Sequence, residues 1–223
     1  IDFKPGELLG CVSGELGLRK FLEDAGHTLV VTSSKDGAGN IADNELIDAD
    51  IVISQPFFPY YLTREKMESA KNLKMAITAG IGSDHVDLQA AMDHDVDVVE
   101  VTFCNSRSVA EHIVMMIISM VRDYHTQHEI AKTGGWNIAD AVKKSYDVEG
   151  MHVGTVAAGR IGLDALRKMK PFDVHLHYFD RHRLPDSVEQ ELNLTFHESV
   201  ESMIAVCDVV TINCPLHPET EHL

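Results

Sequence analysis

Short apolar, β-branched runs alternate with helical patterns along most of the chain. The runs cover residues 27–33, 50–57, 73–80 and 96–102 and, in a second series, 151–159, 173–180, 192–197 and 208–215. Between the first four runs, apolar residues recur three or four positions apart, which is the spacing of an amphipathic helix. Strands that are apolar on both faces and are joined through helices by short loops predict parallel sheets.

The two series of strands predict two α/β units. A long helical pattern, from Val109 to about Lys132 and closed by Gly134 and Gly135, precedes the second series. We therefore predict a boundary that divides residues 1–105 from residues 106–223. A doubly wound domain needs more strands than the second series supplies, so we expect the second domain to be truncated at its C-terminal side and the first to be incomplete as well.

Composition narrows the class of protein. With 44% hydrophobic residues in 223, the chain can bury a sizeable core. Its net charge of −16, from 19 basic and 35 acidic residues, argues against a nucleic-acid or anionic-membrane surface. The four cysteines form no CxxC pair, and the longest apolar stretch, Ile113 to Val121, is too short to span a bilayer. We expect a soluble cytoplasmic protein, with an organelle as the open alternative.

A glycine-containing turn follows the first strand of the second series. The strand pattern ends before Ala157, and Ala157, Gly159 and Gly162 have the spacing of a G-x-G-x-x-G fingerprint with alanine in first place. Without a Cβ at Gly159 a pyrophosphate can approach the backbone. A helix that begins near Arg160 would point unpaired N–H groups and roughly half a positive charge at that anion. Gly162 would let helix and strand pack closely. The glycines alone fit a ligand-free βα turn equally well.

An acid at the end of the next strand favours a dinucleotide site. Asp180 lies 18 residues beyond Gly162, where a carboxylate binds the adenosine ribose hydroxyls. The same carboxylate would repel the 2′-phosphate of NADP. Arg181 and Arg183 could attract that phosphate, so NADP stays an alternative, although we expect Arg183 to face solvent. The sequence thus predicts a Rossmann dinucleotide-binding domain with NAD as its cofactor.

Six phrases that span nearly all of the chain point to a known family. They are "TAGIGSDHVDL" (78–88), "VTFCNSRSVAEH" (101–112), "GGWN" (134–137), "GTVAAGRIGL" (154–163), "YFDRHRLP" (178–185) and "NCPLHPETEH" (213–222). In them the chain resembles the D-2-hydroxyacid dehydrogenase superfamily and, within it, the NAD-dependent formate dehydrogenases. Relatives that act on hydroxy acids usually carry threonine in place of His217, and generally lack the "DRHRLP" turn and the cysteine before Asn105.

The resemblance implies an internal fragment of an enzyme that oxidises formate to carbon dioxide by direct hydride transfer to NAD⁺. Residues 1–105 would be part of a flavodoxin-like substrate domain, and residues 106–223 part of the NAD-binding domain. In such proteins the backbone N–H of Ile81 and the side-chain amide of Asn105 hold the formate oxygens, while Pro56 and Phe57 line the pocket. Asn105 could instead be only the N-cap region of the long helix, and Phe57 a core residue.

The resemblance also implies a set of cofactor contacts. Ser106 would face the cofactor at the domain junction, Arg160 and Ile161 the phosphates, and Asp180 the ribose. The full set is Ser106, Ala157, Gly159, Arg160, Ile161, Gly162, Asp180, Arg181, and the loop Pro215, Leu216, His217, Pro218 and Glu219.

Several residues with possible chemistry fall outside this set. The catalytic arginine and histidine of the family, and a supporting glutamine, are expected after Leu223. His175 and His177 could chelate a metal, but acids or thiols at ligand spacing are lacking. We therefore predict packed or hydrogen-bonded histidines and no metal site. Arg107, where relatives often have an aliphatic residue, could add charge near the cofactor phosphates or could face solvent.

The helix that begins at Val109 is apolar nearly all round, so more than one of its sides must be covered. In the family this helix belongs to a two-fold interface, which implies a homodimer; burial within one chain is the alternative.

Two other functions remain open from the sequence. One is another D-2-hydroxyacid dehydrogenase, of the glyoxylate or hydroxypyruvate type, which would need a histidine–carboxylate pair for the hydroxyl proton. The other is a non-catalytic NAD-sensing module such as a transcriptional co-repressor, for which we find no apolar partner groove.

Overall fold

The computed structural model describes residues 18–54 and 59–223, which divide into two compact units. One unit contains the described residues up to Ile77 together with His85–Val99. The other contains Thr78–Asp84 and Glu100–Leu223. No helix in the described part of the chain has the length and hydropathy that a membrane crossing requires.

The first unit is built around a three-stranded sheet with the order β1-β2-β3. Its elements are α1 (Leu18–Asp24), α2 (Ile41–Leu46), β1 (Ile51–Ser54), α3 (Arg64–Ser69), β2 (Met75–Thr78), α4 (Leu88–Asp93) and β3 (Asp97–Glu100). The amide of Asp97 donates to the carbonyl of Lys74, and the amide of Val101 to that of Thr78. This constant offset along the two strands is that of a parallel pair.

The second unit contains a four-stranded parallel sheet with the order β6-β5-β4-β7. Its elements are α5 (Ser106–Val121), α6 (Tyr124–Lys132), α7 (Ile138–Ala141), β4 (His152–Val156), α8 (Arg160–Met169), β5 (His175–Phe179), α9 (Asp186–Leu192), β6 (Leu194–Phe196), α10 (Val200–Ile204) and β7 (Val209–Ile212). A 3₁₀ turn, Lys170–Phe172, follows α8. The predicted α/β fold class with parallel sheets is confirmed.

The register of this sheet determines what lies at its carboxyl edge. Val156, the last residue of β4, pairs with Phe179 of β5 on one side and with Ile212 of β7 on the other. The segments that follow these three strands therefore leave the sheet at one edge, which is where open α/β sheets bind their ligands.

The core of the second unit explains why α8 lies where it does. Ala165, Leu166 and Met169 of α8 are at most 1% exposed, as is Tyr178 in the middle of β5. These three positions recur at helical spacing on one face of α8, so this face buries its apolar surface in the core while its basic residues remain outside.

One predicted strand of the first unit is absent from the structure. Residues 27–33 form no strand. Val30 and Val31 are 51% and 57% exposed, since an apolar run becomes a strand only where a neighbouring strand supplies hydrogen bonds. In the predicted run 50–57 the structure shows the strand Ile51–Ser54, and residues 55–58 lie outside the described part of the chain.

The predicted helix from Val109 to Lys132 is two helices. It begins earlier, at Ser106, and is interrupted after Val121. Asp123 takes a left-handed conformation with φ of 51°. Its carboxylate accepts hydrogen bonds from Thr126 Oγ1 at 2.7 Å and Gln127 Nε2 at 3.1 Å in the first turn of α6. These bonds favour a new helix start over continuation of α5.

Candidate functional site

The turn between β4 and α8 leaves open space where an anion would approach. Gly159 is the N-cap of α8, and a Cβ built on it would meet nothing within 4 Å. The helix begins at Arg160, so its first N–H groups have no intrahelical partner. A phosphate oxygen can therefore reach backbone amides here without displacing a side chain.

Gly162, by contrast, lies in a close contact between helix and strand. A Cβ on Gly162 would lie 2.2 Å from the carbonyl oxygen of Ala157 and 2.7 Å from Thr155 Oγ1. Only a residue without a side chain fits between α8 and the end of β4, as the sequence predicted from its spacing.

Ala157 is the strained member of the turn. Its φ is 67°, in the left-handed region that glycine adopts without cost. Its amide donates to the Phe179 carbonyl at 2.8 Å, and its carbonyl accepts from Thr155 Oγ1 at 3.0 Å. Asn213 Nδ2, beyond β7, in turn donates to Thr155 Oγ1 at 2.9 Å. The turn is thus held from both neighbouring strands.

Asp180 lies directly beside this turn. Its Oδ2 accepts the backbone N–H of Ala158 at 2.8 Å, and its Oδ1 accepts that of His182 at 3.0 Å. The carboxylate is half-buried, and these two hydrogen bonds hold the backbone of the turn in place. Each carboxylate oxygen has two lone pairs, so both can still accept sugar hydroxyls.

The two arginines that follow Asp180 have protein partners. Arg183 makes a two-pronged contact with Glu189, at 3.0 and 2.9 Å, and lowers the pKa of that carboxyl. Arg183 is therefore neither free for a 2′-phosphate nor simply solvated. Arg181 reaches Glu219 at 3.2 Å in a pair that is more than two-thirds exposed. An exposed pair of this kind is weak and leaves Arg181 accessible.

The loop Pro215–Glu219 is closed on itself by Thr220. The hydroxyl of Thr220 donates to the Pro215 carbonyl at 2.7 Å and accepts the N–H of His217 at 2.9 Å. The contact of Arg181 with Glu219 connects this loop to the end of β5. The cofactor-binding residues predicted on the two segments are therefore neighbours. Leu216 is 72% exposed within this loop.

A cavity of about 680 Å³ opens at the start of α8. The residues around it are Phe103, Cys104, Ser106, Arg107, Ser108, Gly159, Arg160, Leu163, Asp164 and Arg167. The Arg160 side chain lies over the ring of Phe103, with its guanidinium carbon 3.2 Å from the ring centre. The predicted cofactor residues Ser106, Gly159 and Arg160 are therefore brought together on one surface, with Ile161 next in the helix.

The substrate residues predicted by resemblance are only partly described. Pro56 and Phe57 lie outside the described residues. Ile81 and Asn105 belong to the same compact unit. Asn105 is the N-cap of α5, but its side chain makes no capping hydrogen bond, and its Oδ1 is buried without a hydrogen-bond partner in the described structure. Asn105 therefore occupies the N-cap position that was its alternative role, but its side chain does not cap the helix. Its contact with formate stays a prediction.

The prediction that His175 and His177 are packed or hydrogen-bonded is confirmed, but the sequence did not reveal that they belong to a chain of four histidines. His152 Nδ1 lies 2.8 Å from His177 Nε2, and His177 Nδ1 lies 2.9 Å from His197 Nε2. His175 stacks on His152 with ring centres 4.6 Å apart. Within the described residues, no three His, Cys, Asp or Glu side chains are arranged to hold a metal ion. Only the i, i+2 spacing of His175 and His177 was visible in the sequence.

Comparison with known proteins gives the family. Residues 114–223 match the model of the NAD binding domain of D-isomer specific 2-hydroxyacid dehydrogenases. The whole chain is 70% identical to a formate dehydrogenase of Pseudomonas sp. (strain 101). Over residues 114–223 the chain thus matches the D-isomer specific 2-hydroxyacid dehydrogenase family. The resemblance noted in its sequence is thereby confirmed, and residues 114–223 carry an NAD-binding domain.

Solved structures of this family superpose well on the chain. A formate dehydrogenase of Granulicella, 64% identical, superposes with a TM-score of 0.91 and is covered to 59% of its length. An NAD-dependent formate dehydrogenase from Staphylococcus aureus, in complex with NAD and 38% identical, gives 0.88 and is covered to 65%. Both matches cover all of this chain. The chain spans 56% of the Pseudomonas protein, little more than half of its length.

Proposed function

We propose that the complete protein oxidises formate to carbon dioxide and transfers the hydride directly to NAD⁺. The observation that carries this proposal is the 70% identity, along all 223 residues, to a formate dehydrogenase. The bare turn at Gly159 beside Asp180 supports it, because it offers backbone amides to a pyrophosphate and a carboxylate to a ribose.

We propose distinct roles for the two parts of the chain, with residues 1–105 contributing to the substrate domain and residues 106–223 to the NAD-binding domain. Hydride leaves the C–H of formate and no O–H proton has to be removed, so the substrate side must mainly position the anion and exclude water. The Asn105 amide and the Ile81 N–H would hold the formate oxygens. Pro56 and Phe57 would form the apolar wall. An uncharged amide suits this role because it can donate a hydrogen bond without adding a charge.

The bound NAD would supply a hydride acceptor at its nicotinamide ring. This chain's residues would fix the other end of the molecule: backbone amides at the start of α8 for the phosphates, and Asp180 for the adenosine ribose. Arg160, Ile161, Arg181 and the loop Pro215–Glu219 would complete the contacts.

The test is an assay of the complete protein with formate or D-lactate as hydride donor and NAD or NADP as acceptor. Glyoxylate and hydroxypyruvate are assayed separately in the opposite direction, with NADH or NADPH as hydride donor. We expect turnover of formate with NAD. Turnover of a 2-hydroxy or 2-oxo acid without formate oxidation would instead support the second candidate, another dehydrogenase of this family, which the match to the general family model also accommodates.

The preference for NAD is tested by Asp180→Ser. Removing the carboxylate removes its repulsion of the 2′-phosphate, so the ratio of kcat/KM with NADP to that with NAD should rise roughly tenfold or more. Because Asp180 also holds the Ala158 amide, Asp180→Asn is the matched control: it loses the charge but keeps one acceptor oxygen. A ratio that stays unchanged in both variants would contradict the role of the acid.

A further inference from the structure

The cavity at the start of α8 is more positively charged than the chain that surrounds it. Three arginines line it, Arg107, Arg160 and Arg167, with Asp164 as its single carboxylate. The formal net charge of the chain is −16. A cationic cavity in so acidic a protein indicates an anionic ligand.

Two of the charged groups are already neutralised by neighbours. Arg167 donates to both carboxylate oxygens of Glu191 at 3.3 Å, and Lys168 lies 3.5 Å from Asp164. Arg107 and Arg160 form no ion pair with any residue that the structure describes. The excess positive charge of the cavity thus belongs to these two side chains.

Both free arginines lie where their own helix disfavours them. Arg107 is the second residue of α5 and Arg160 the first residue of α8, and neither helix has an acidic residue in its first turn. A cation at a helix N-terminus is repelled by the helix dipole. The two helices pack against each other, and both begin at the same cavity. An anion bound there would relieve the repulsion at both ends at once.

We propose that Arg107 is a second cationic contact for the pyrophosphate of the dinucleotide, alongside Arg160. This inference rests on the proposed cofactor role and adds a residue to it. Arg160 is held over the Phe103 ring on one wall, and Arg107 reaches the cavity from the separate helix α5. The two phosphates of a dinucleotide would then meet one guanidinium from each helix, in addition to the bare amides at Gly159.

In this arrangement Arg107 lowers the stability of the cofactor-free protein and raises its affinity for the cofactor. Without cofactor, the side chain opposes the dipole of α5, so its removal should make the protein slightly more stable. With cofactor, its removal should weaken binding. A residue that merely packs in the fold would lower both properties when replaced.

The experiment compares Arg107→Gln, Arg107→Lys and, as a control that changes net charge equally, Lys143→Gln, whose exposed side chain pairs with Asp140. In the complete protein we expect Arg107→Gln to weaken NAD binding roughly tenfold. The Tm of NAD-free Arg107→Gln should be about 1–2 °C higher than that of the NAD-free wild type. Arg107→Lys should keep most of the affinity, and Lys143→Gln should match the wild type.

Two further measurements isolate the phosphates. Wild-type affinity for NAD should fall more steeply with added salt than that of Arg107→Gln. Adenosine, which lacks phosphates, should bind both proteins equally. If the wild type binds NAD and Arg107→Gln binds it as tightly, the role of Arg107 is wrong while the proposed function stands. A wild type that does not bind NAD overturns both. A lower Tm together with weaker adenosine binding would assign Arg107 a structural role and overturn the proposal.

Discussion

Ala157 occupies a left-handed backbone conformation in the turn between β4 and α8, with φ of 67°. This conformation costs a non-glycine residue about 1–2 kcal/mol. Glycine would remove the strain but would add roughly 0.5–1 kcal/mol of chain entropy to the unfolded state. We therefore expect Ala157→Gly to raise the free energy of unfolding by about 0.5–1 kcal/mol, measured by urea denaturation. A decrease would mean that contacts of the Ala157 methyl group outweigh the strain.

The glycines at 159 and 162 form a matched pair with different expected effects. A methyl group at Gly162 would collide with the Ala157 carbonyl, whereas one at Gly159 would project into open space. Gly162→Ala should therefore lose about 1–3 kcal/mol of stability through overpacking. Gly159→Ala should change stability by less than about 1 kcal/mol and weaken NAD binding roughly tenfold or more.

Thermal unfolding and NAD titration of both variants separate these expectations. If Gly159→Ala bound NAD normally, phosphate would not approach the backbone at this position. If Gly162→Ala retained full stability, this would show that α8 can move away from β4 at little cost, in spite of its buried contacts.

Among the secondary-structure elements, those with local signals were predictable. The end of β4 before Ala157 and the start of α8 at Arg160 follow from an apolar run, a glycine spacing and an amphipathic pattern, all within twenty residues. The interruption at Asp123 was not predicted, because the apolar periodicity of α5 continues up to it. The competing signal was the acid itself, whose bonds to Thr126 and Gln127 begin the next helix.

The histidine chain depends on pairing between strands, which local patterns do not reveal. Ser202 Oγ donates to the Ser199 carbonyl at 2.8 Å, so it can only accept from His197 Nδ1, 3.4 Å away. His197 Nε2 must then accept from His177 Nδ1, and His177 Nε2 from His152 Nδ1. One serine thus favours the Nδ1–H tautomer in three rings.

The chain of histidines predicts that the stability of the protein depends on pH. Burial, followed by the neighbouring histidines His152, His197 and His175, lowers the pKa of His177 from its usual 6.5 to about 4. Between these two pH values the unfolded chain binds more protons than the folded protein. The contribution of His177 to the free energy of unfolding is therefore complete above pH 6.5 and declines as the pH falls towards 4. We expect a loss of about 1–3 kcal/mol across this window from His177.

Urea unfolding at several pH values tests this expectation. The stability of His177→Leu should fall less steeply between pH 6.5 and 4 than that of the wild type. His222→Gln, whose side chain is 91% exposed, should follow the wild type. Equal slopes for His177→Leu and the wild type would show that His177 does not titrate differently on unfolding.

At the scale of the whole molecule, the exposed side of α5 concerns assembly. Met115, Met116 and Met120 are 47%, 36% and 55% exposed, although the helix is strongly apolar. The described residues therefore leave one side of this helix uncovered, and we propose that a second copy of the chain covers it. The sequence could predict that α5 is apolar. It could not predict which side of α5 is buried within one chain, because that depends on how α8 packs against it.

Negative charges on this surface should prevent the proposed association of two copies of the chain. Met116→Glu and Met120→Glu together would bury two carboxylates without partners, so we expect the dimer dissociation constant to rise at least a hundredfold. Met92→Glu on α4, at a methionine that is 66% exposed, is the control and should leave assembly unchanged. Sedimentation analysis of the complete protein over a range of concentrations measures this. A wild type that is monomeric at micromolar concentration would contradict the proposal.

The hydrogen bond from the Ala158 amide to Asp180 has a practical consequence. An amide proton that points at a carboxylate resonates at a frequency set by the electron density on that oxygen. If the ribose hydroxyls bind the same oxygen, as we propose, they should weaken this hydrogen bond and move the resonance upfield. A single backbone signal from Ala158 would therefore report occupancy at the adenosine end of the molecule, in spectra recorded without any turnover.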